Sequence, residues 1–266
     1  MFSWDPNPEL TSIGFLTIRW YGIFFAAAFL VGFQIMLRIY VKEGRPSSEL
    51  DRLLFYMMLG TVIGARLGHC IFYDPQFYLT HPLEILKVWK GGLASHGGGL
   101  GLLLAIAWFV RKTEGISFLW LVDRIAIPTA LGGAFIRIAN FINSEIVGLP
   151  THGNWGVIFE RVDTLPRHPV QLYEATAYLL VFFLLLWVYR RSVLRLRQGA
   201  ITGLFLILVF SARLLLEFYK TPQASFRASE IFSMGQLLSM PFIIVGLVLL
   251  FNATLREKVP KPSGRV

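Results

Sequence analysis

Cysteine is almost absent from the sequence. The single Cys70 excludes an intrachain disulfide and any four-cysteine zinc site, and it leaves the redox compartment of the protein undetermined. No HExxH pattern or comparable metal-ligand spacing occurs, so the sequence predicts no metal site. Cys70 lies in an apolar stretch, where we expect it to pack as a small hydrophobic side chain.

Charged residues are also scarce. Only 15% of the chain is charged and 55% is hydrophobic, a balance that would leave a water-soluble protein with too much exposed apolar surface. Several stretches reach the roughly 20 apolar residues that cross a bilayer as a helix. We therefore predict an all-α polytopic membrane protein, one integral membrane domain over residues 1–266, with seven transmembrane helices at 17–38, 53–73, 97–110, 119–141, 171–189, 200–219 and 232–252.

Acidic residues are fewer than basic ones, 16 against 25. The basic residues are scattered between apolar spans and do not line one polar element, so no nucleic-acid partner is predicted. Fourteen of them lie in the first, third and fifth connections and the C-terminal tail, and six lie in the connections on the opposite side. The positive-inside rule then puts the C-terminus in the cytoplasm and the N-terminus outside. Neither a cleavable signal peptide nor an inverted repeat of the transporter kind is recognisable.

Residues outside the predicted spans are also expected to have structure of their own. Residues 143–169 form the longest external connection, and we predict that they fold into a small cap at the membrane interface. Residues 74–96 and 220–231 are candidates to join this cap. Residues 91–101, rich in glycine, are expected to approach the membrane as a partly buried, non-helical segment.

Five arginines lie in the predicted spans or at their ends. Each costs about 2.5 to 3.5 kcal/mol at bilayer depth, so each needs an acidic partner, water or an anionic ligand. Arg213 and Glu217, four residues apart, share a helix face, and Arg137 and Asn140 form another polar stripe. Such pairs are either structural bridges or parts of a ligand site. The guanidinium groups outnumber the nearby carboxylates, which favours an anionic lipid head group as ligand; the arginines are Arg19, Arg66, Arg124, Arg137 and Arg213, and the carboxylates are Asp123, Glu145, Glu174 and Glu217.

The histidines differ in their surroundings. His96 lies in GLASHGGG, where glycines allow backbone and ligand to approach closely, and it is either a catalytic or ligand-contacting residue or a structural one. His168 precedes a predicted span, where helix capping or orientation is the simpler interpretation. His81 and His152 are interpreted as loop residues.

The segment RIANFINSEIVG, residues 137–148, resembles the signature of the prolipoprotein diacylglyceryl transferase family. Further segments that resemble this family occur in the same order, at 19–22, 64–73, 91–99, 167–174, 210–223 and 233–241. The resemblance implies a bacterial inner-membrane enzyme that transfers diacylglyceryl from phosphatidylglycerol to the lipobox cysteine of a prolipoprotein signal peptide. It implies no cofactor.

The resemblance also implies site residues. It places Tyr21, His96, Arg137 and Arg213 among the catalytic groups, and a substrate-binding set at Arg66, Arg137, Asn140, Glu145, Gly148 and Glu217. His96 is the preferred base for the substrate thiol, and an arginine field that lowers the pKa of that thiol is the alternative. A transporter, or a lipid-binding membrane protein without activity, would also carry buried arginines and remains the alternative function.

Overall fold

The computed structural model describes residues 2–13, 16–88, 91–92, 94–221 and 233–255. The chain divides into two compact units, one made of residues 36–121 and the other of the residues before 36 together with those after 121. Four basic residues of the C-terminal tail, together with Lys90 and Arg227, lie outside the described residues, as does most of 220–231. The structure is mostly helical.

A helix is present at each of the seven predicted spans. Six of the helices in the described part of the chain are long and apolar enough to cross a membrane, which makes the chain a multi-pass membrane protein. The exception, α4, is a shorter apolar helix. The helices are α1 Trp20–Lys42, α2 Ser47–Phe72, α3 Pro75–Thr80, α4 Ser95–Arg111, α5 Phe118–Ile142, α6 Val170–Arg191, α7 Ala200–Leu216 and α8 Met234–Leu255, with 3₁₀ turns at Pro82–Leu86, Val193–Leu196 and Glu217–Tyr219.

Glycines bring α2 and α4 into backbone contact in the unit of residues 36–121. A Cβ on Gly60 would lie 2.6 Å from the Gly101 carbonyl oxygen, and a Cβ on Gly64 would overlap the Gly97 carbonyl. Small residues four apart on both helices allow this approach, as they do in other membrane helix pairs. The expectation of a non-helical segment at 91–101 is therefore wrong from Ser95 onward, because the glycines pack one helix on another.

The other unit also contains a close helix pair. A Cβ on Gly203 of α7 would lie 2.8 Å from the Gly246 carbonyl oxygen of α8. The first turn of α7 is capped by Asp123 of α5, whose carboxylate accepts hydrogen bonds from Gly199 N at 2.7 Å and from Thr202 N at 2.8 Å. The buried Asp123 thus caps α7, because the backbone N–H groups at the start of a helix have no partner within the helix and favour a carboxylate. Asp123 is also the sequence neighbour of Arg124.

Five short strands were not anticipated. In the first sheet, strand β1 Phe2–Trp4 lies parallel to β4 Val157–Phe159, which pairs antiparallel with β5 Pro166–Arg167, so the strand order is β1-β4-β5. The strands β2 Glu9–Ile13 and β3 Leu16–Arg19 form an antiparallel hairpin.

The β1-β4-β5 sheet and the connection around it enclose a small apolar core. Phe141, Val147, Val157 and Phe159 are buried together, and Trp4 packs against them. The indole Nε1 of Trp4 donates to the Phe141 carbonyl at 2.9 Å, so the N-terminal strand is tied to the end of α5. The N-terminal strand and the connection between α5 and α6 therefore share one small core.

Candidate active site

A chain of buried charges connects α5, α6 and the turn after α7. Arg137 Nε lies 2.9 Å from Glu174 Oε2, and Lys220 Nζ lies 2.8 Å from Glu174 Oε1. Lys220 Nζ also lies 3.2 Å from Glu217 Oε2. Glu174 is 0% exposed and Lys220 is 9% exposed. A carboxylate so far from water is stable only because a cation holds each of its oxygens.

The segment after α5 folds back onto this cluster. Arg137 Nη1 donates to Asn140 Oδ1 at 3.4 Å, which confirms the polar stripe predicted from their spacing. Asn140 Nδ2 in turn donates to Glu145 Oε2 at 2.9 Å. The backbone of Glu145 is fixed as well, since its N–H donates to the Asn140 carbonyl and its carbonyl accepts from Gln171 Nε2 at 2.6 Å.

The backbone on both sides of Glu145 is unusual. Ser144 and Ile146 each have a φ of 56°, in the left-handed region that a β-branched side chain such as Ile146 rarely adopts. Residues held in such conformations cost on the order of 1–3 kcal/mol and persist only where the surroundings fix them. The hydrogen bonds of Glu145 to Asn140 and Gln171 supply that restraint.

Arg213 and Glu217 have different environments. Arg213 lies in the last turn of α7, and its Nε is buried without a hydrogen-bond partner among the residues that the structure describes. Glu217 follows the helix end and accepts a hydrogen bond from Ser233 Oγ at 3.0 Å. Ser233 and Gln236 form a reciprocal capping box at the start of α8, so the Glu217 carboxylate lies at a helix N-terminus, where a negative charge is favourable.

The cluster brings several cations and carboxylates together. Ion pairs join Arg137 and Lys220 to Glu174 and Lys220 to Glu217, and Asn140 links Arg137 to the Glu145 carboxylate. The Tyr178 hydroxyl of α6 accepts a hydrogen bond from Arg137 and also lies within the electrostatic influence of Arg213. The Arg213 Nε, buried without a hydrogen-bond partner among the described residues, favours an anionic ligand, and a planar guanidinium fork suits a phosphate.

Gly148 has a structural reason to be glycine. A Cβ there would overlap the backbone carbonyl of His168, to which the Gly148 N–H donates a hydrogen bond at 3.2 Å. The Gly148 carbonyl accepts from Arg167 Nη1 at 2.8 Å and from Thr221 Oγ1 at 3.0 Å. Through these contacts Gly148 is hydrogen-bonded to Arg167 and His168, at and next to the last strand of the β1-β4-β5 sheet.

His168 lies among aromatic rings beside Gly148. Its ring centroid is 4.9 Å from that of Trp155 and 5.1 Å from that of Tyr219. Burial lowers the pKa of His168 below its usual value, because the aromatic surroundings solvate an imidazolium poorly.

Arg66 belongs to the other unit and donates mainly to the backbone. Its Nε donates to the Ile85 carbonyl at 2.8 Å, its Nη2 to that of Glu84 at 2.6 Å, and its Nη1 to those of Gly91 and Gly92 at 2.6 and 3.1 Å. Four of its five N–H groups are thereby occupied. Arg66 therefore organises the segment before α4.

His96 and Tyr21 complete the predicted set. His96 is the second residue of α4 and is exposed, directly before the glycines that contact α2. Tyr21 is the second residue of α1 and is partly exposed. His96 and Arg66 belong to the unit of residues 36–121, and the remaining predicted site residues belong to the other unit.

Sequence reasoning missed three members of the cluster. Lys220 was counted as a loop cation, and Gln171 and Tyr178 were not singled out. Gln171, Glu174 and Tyr178 recur at intervals of three and four on one face of the otherwise apolar α6, a signal that could have found two of them. In the described residues, no three His, Cys, Asp or Glu side chains are grouped as a metal site would require.

Comparisons with known proteins agree with the motifs. A family model described as prolipoprotein diacylglyceryl transferase matches residues 8–252. The phosphatidylglycerol–prolipoprotein diacylglyceryl transferase of Tolumonas auensis is 56% identical over 94% of this chain and 96% of its own length. Proteins of the same name from Chloroherpeton thalassium and Bacteroides fragilis are 48% and 41% identical, over 98% and 94% of this chain and 97% and 94% of their own lengths. The chain therefore belongs to the prolipoprotein diacylglyceryl transferase family, as its motifs predicted.

Proposed function

We propose that this chain transfers the diacylglyceryl group of phosphatidylglycerol to the lipobox cysteine thiol of prolipoproteins, the first step of lipoprotein maturation. The observation that carries the proposal is the buried cluster around Glu174, which holds Arg137 of the family signature, together with the buried Arg213 Nε that has no hydrogen-bond partner among the described residues. Such a cluster suits a phosphodiester in the membrane, and the relatives' names specify the same lipid.

The reaction needs no nucleophile from the protein. The substrate thiolate attacks the glyceryl carbon that carries the phosphate, a C–S bond forms, and the C–O bond breaks with its electron pair leaving on glycerol 1-phosphate. The thiol proton passes to a base. Cys70 is 4% exposed and lies within α2, which suits a protein whose reactive sulfur arrives with the substrate.

Negative charge develops on the leaving phosphate, and the arginines are the groups that can stabilise it. Arg137 has terminal N–H groups beyond its contact with Glu174, and Arg213 has its unpartnered Nε. Preorganised donors in a site with little water are worth more than the same donors in water. Asn140 and Glu145 hold the Arg137 side of the site, and Glu217 anchors Lys220.

The thiol proton is assigned to His96, with Tyr21 orienting the head group or the thiol. His96 is exposed at the start of α4, so its ring is accessible to a substrate. The alternative is that the arginines lower the pKa of the thiol enough that no base is needed. Within its own unit Gly148 acts on the backbone beside His168, and within the other unit Arg66 acts on the segment before α4, through the contacts described above.

We further propose seven membrane crossings in the bacterial inner membrane, with α4 as the seventh. Seventeen helical residues extend about 25 Å, somewhat less than the roughly 30 Å of the hydrocarbon core, so this crossing is short. With seven crossings the termini lie on opposite sides, and the basic connections put the C-terminus in the cytoplasm. The β1-β4-β5 sheet then caps the external face.

A reconstituted transfer assay tests the proposal. Purified protein is incubated with phosphatidylglycerol vesicles and a lipobox peptide, and the product is identified by mass as a diacylglyceryl thioether. A peptide with serine in place of the lipobox cysteine is the control. A correctly folded protein that binds the lipid without forming a thioether would be a lipid-binding protein, and one that moves lipid or solute across the bilayer without transfer would be a transporter; either result would overturn the proposal.

A further inference from the structure

Lys220 is a buried cation to which neither the sequence nor the chemistry above gives a task of its own. It follows the 3₁₀ turn Glu217–Tyr219, and its side chain is 7% exposed. Its backbone is held independently of its amine, because its N–H donates to the Glu217 carbonyl at 3.1 Å and the residue bridges to Gly148.

The two oxygens of Glu174 are divided between two cations. Oε1 lies 2.8 Å from Lys220 Nζ, and Oε2 lies 2.9 Å from Arg137 Nε. The guanidinium therefore meets the carboxylate through one nitrogen, from its side. Among the described residues, its Nη1 makes the longer contact with Asn140 at 3.4 Å, and the guanidinium also donates to the Tyr178 hydroxyl.

We propose that Lys220 is a positioning residue that keeps Arg137 available to the substrate phosphate by occupying Oε1 of Glu174. A guanidinium and a carboxylate left alone in a poorly solvated place favour a two-point fork, in which two parallel N–H groups meet both oxygens. Without the amine, Arg137 turns a terminal nitrogen toward the vacated Oε1 and withdraws it from the substrate. This inference deepens the proposed function and rests on it for the identity of the anion.

The charge of Lys220 acts in the same direction. Loss of its amine removes one positive charge from the cluster that contains Arg137, Glu174 and Glu217. Geometry and charge therefore both weaken anion binding in a Lys220→Met variant. Neutralising Glu174 removes the fork and offsets the lost positive charge, so Glu174→Gln should compensate for the loss of Lys220.

The test is a double-mutant cycle of Lys220→Met and Glu174→Gln, with Lys220→Arg as the conservative variant. Two readouts are taken in detergent: calorimetric affinity for short-chain phosphatidylglycerol, and kcat and KM for transfer to a lipobox peptide. Lys87→Met is the matched control, since Lys87 also pairs with a glutamate, outside this cluster. Thermal unfolding monitors the fold of each variant.

Lys220→Met should weaken lipid affinity and raise KM by on the order of 10²-fold, since small displacements of a binding group have effects of this size. Lys220→Arg and Lys87→Met should stay near wild type, and the double variant should bind better than Lys220→Met alone. An equal loss from Lys220→Met with and without Glu174→Gln would overturn the inference, as would unchanged affinity.

The two proposals fail separately. If the wild-type protein binds the lipid without transferring diacylglyceryl to the peptide, the proposed function is refuted. The lipid affinities of the double-mutant cycle still test the role of Lys220. If Lys220→Met does not fold by itself, the affinity of the double variant is compared with that of Glu174→Gln: equal affinities support action through Glu174, and a weaker double variant overturns it.

Discussion

Replacing Arg137 by lysine separates two things that this residue offers, its charge and its fork of N–H groups. In the structure one nitrogen, Nε, lies 2.9 Å from the buried Glu174 carboxylate, and Nη1 donates to Asn140. The proposed phosphate contact uses what remains of the terminal nitrogens. A lysine side chain has a single nitrogen, so it contacts either Glu174 or the phosphate.

Two free energies are relevant to which of these contacts the lysine amine makes. Removing one partner of a buried ion pair costs about 3–5 kcal/mol, toward the lower end here because Lys220 still holds the other oxygen of Glu174. Losing one donor to a developing anion costs about 2.7–4 kcal/mol, or 10²–10³ in rate. Because the carboxylate is always present and the anion develops only in the transition state, the amine stays with Glu174. Arg137→Lys should therefore lose roughly 10² or more in kcat, and Arg137→Ala at least as much.

The assay is the initial rate of thioether formation with saturating peptide and lipid, on protein whose folding is verified by thermal unfolding. Arg124→Lys is the matched control, because Arg124 is buried on the same helix thirteen positions earlier, about 20 Å away, beside the Tyr189 ring. It should transfer at nearly the wild-type rate. A normal rate for Arg137→Lys would show that only charge matters, and a normal rate for Arg137→Ala would refute the phosphate contact and transfer it to Arg213.

Three further predictions concern other parts of the molecule. Gly64→Ala should destabilise the protein by about 1–3 kcal/mol in thermal unfolding, because its Cβ would overlap the Gly97 carbonyl, whereas Gly99→Ala, with no atom within 4 Å of its Cβ, should not; equal stabilities would contradict the helix contact. His96→Gln should lower kcat by about 10² to 10⁴, with partial recovery at higher pH, and an unchanged rate at neutral pH would move the base elsewhere. Burial lowers the pKa of His168, so below about pH 6.5 the unfolded chain binds more protons than the folded one and stability falls as pH decreases; His168→Gln should show a smaller decline of melting temperature between pH 7.5 and 5.5, and an identical decline would refute the assignment.

The positions of the helices could be predicted from the sequence because the signal is local. A bilayer requires about 20 consecutive apolar residues, and a helix is present at each of the seven predicted spans. The Arg137–Asn140 stripe was predictable for the same reason, since residues three apart share a helix face. Family membership followed from the string at 137–148, whose charged residues stand at fixed spacing.

The start of α4 shows where local reasoning fails. Glycines destabilise an isolated helix, so residues 91–101 were expected to be non-helical. The structure begins a helix at Ser95, because Gly97 and Gly101 allow α4 to contact the backbone of α2. The stabilisation of α4 comes from its packing on residues of α2 that lie more than thirty positions earlier in the chain. The helix propensities of residues 91–101 do not include this contribution.

What the sequence determined by itself was the membrane class, the helices and the family, since each depends on residues close together in the chain. The tertiary structure decided which charges meet. Glu174 holds Arg137 from one side and Lys220, 46 residues later, from the other, so that a cation counted with the loops became part of the buried cluster. The physical reason is that a buried charge is stabilised by whichever opposite charge the packing of the helices brings within about 3 Å, and that choice depends on helix neighbours, which spacing along the chain does not encode.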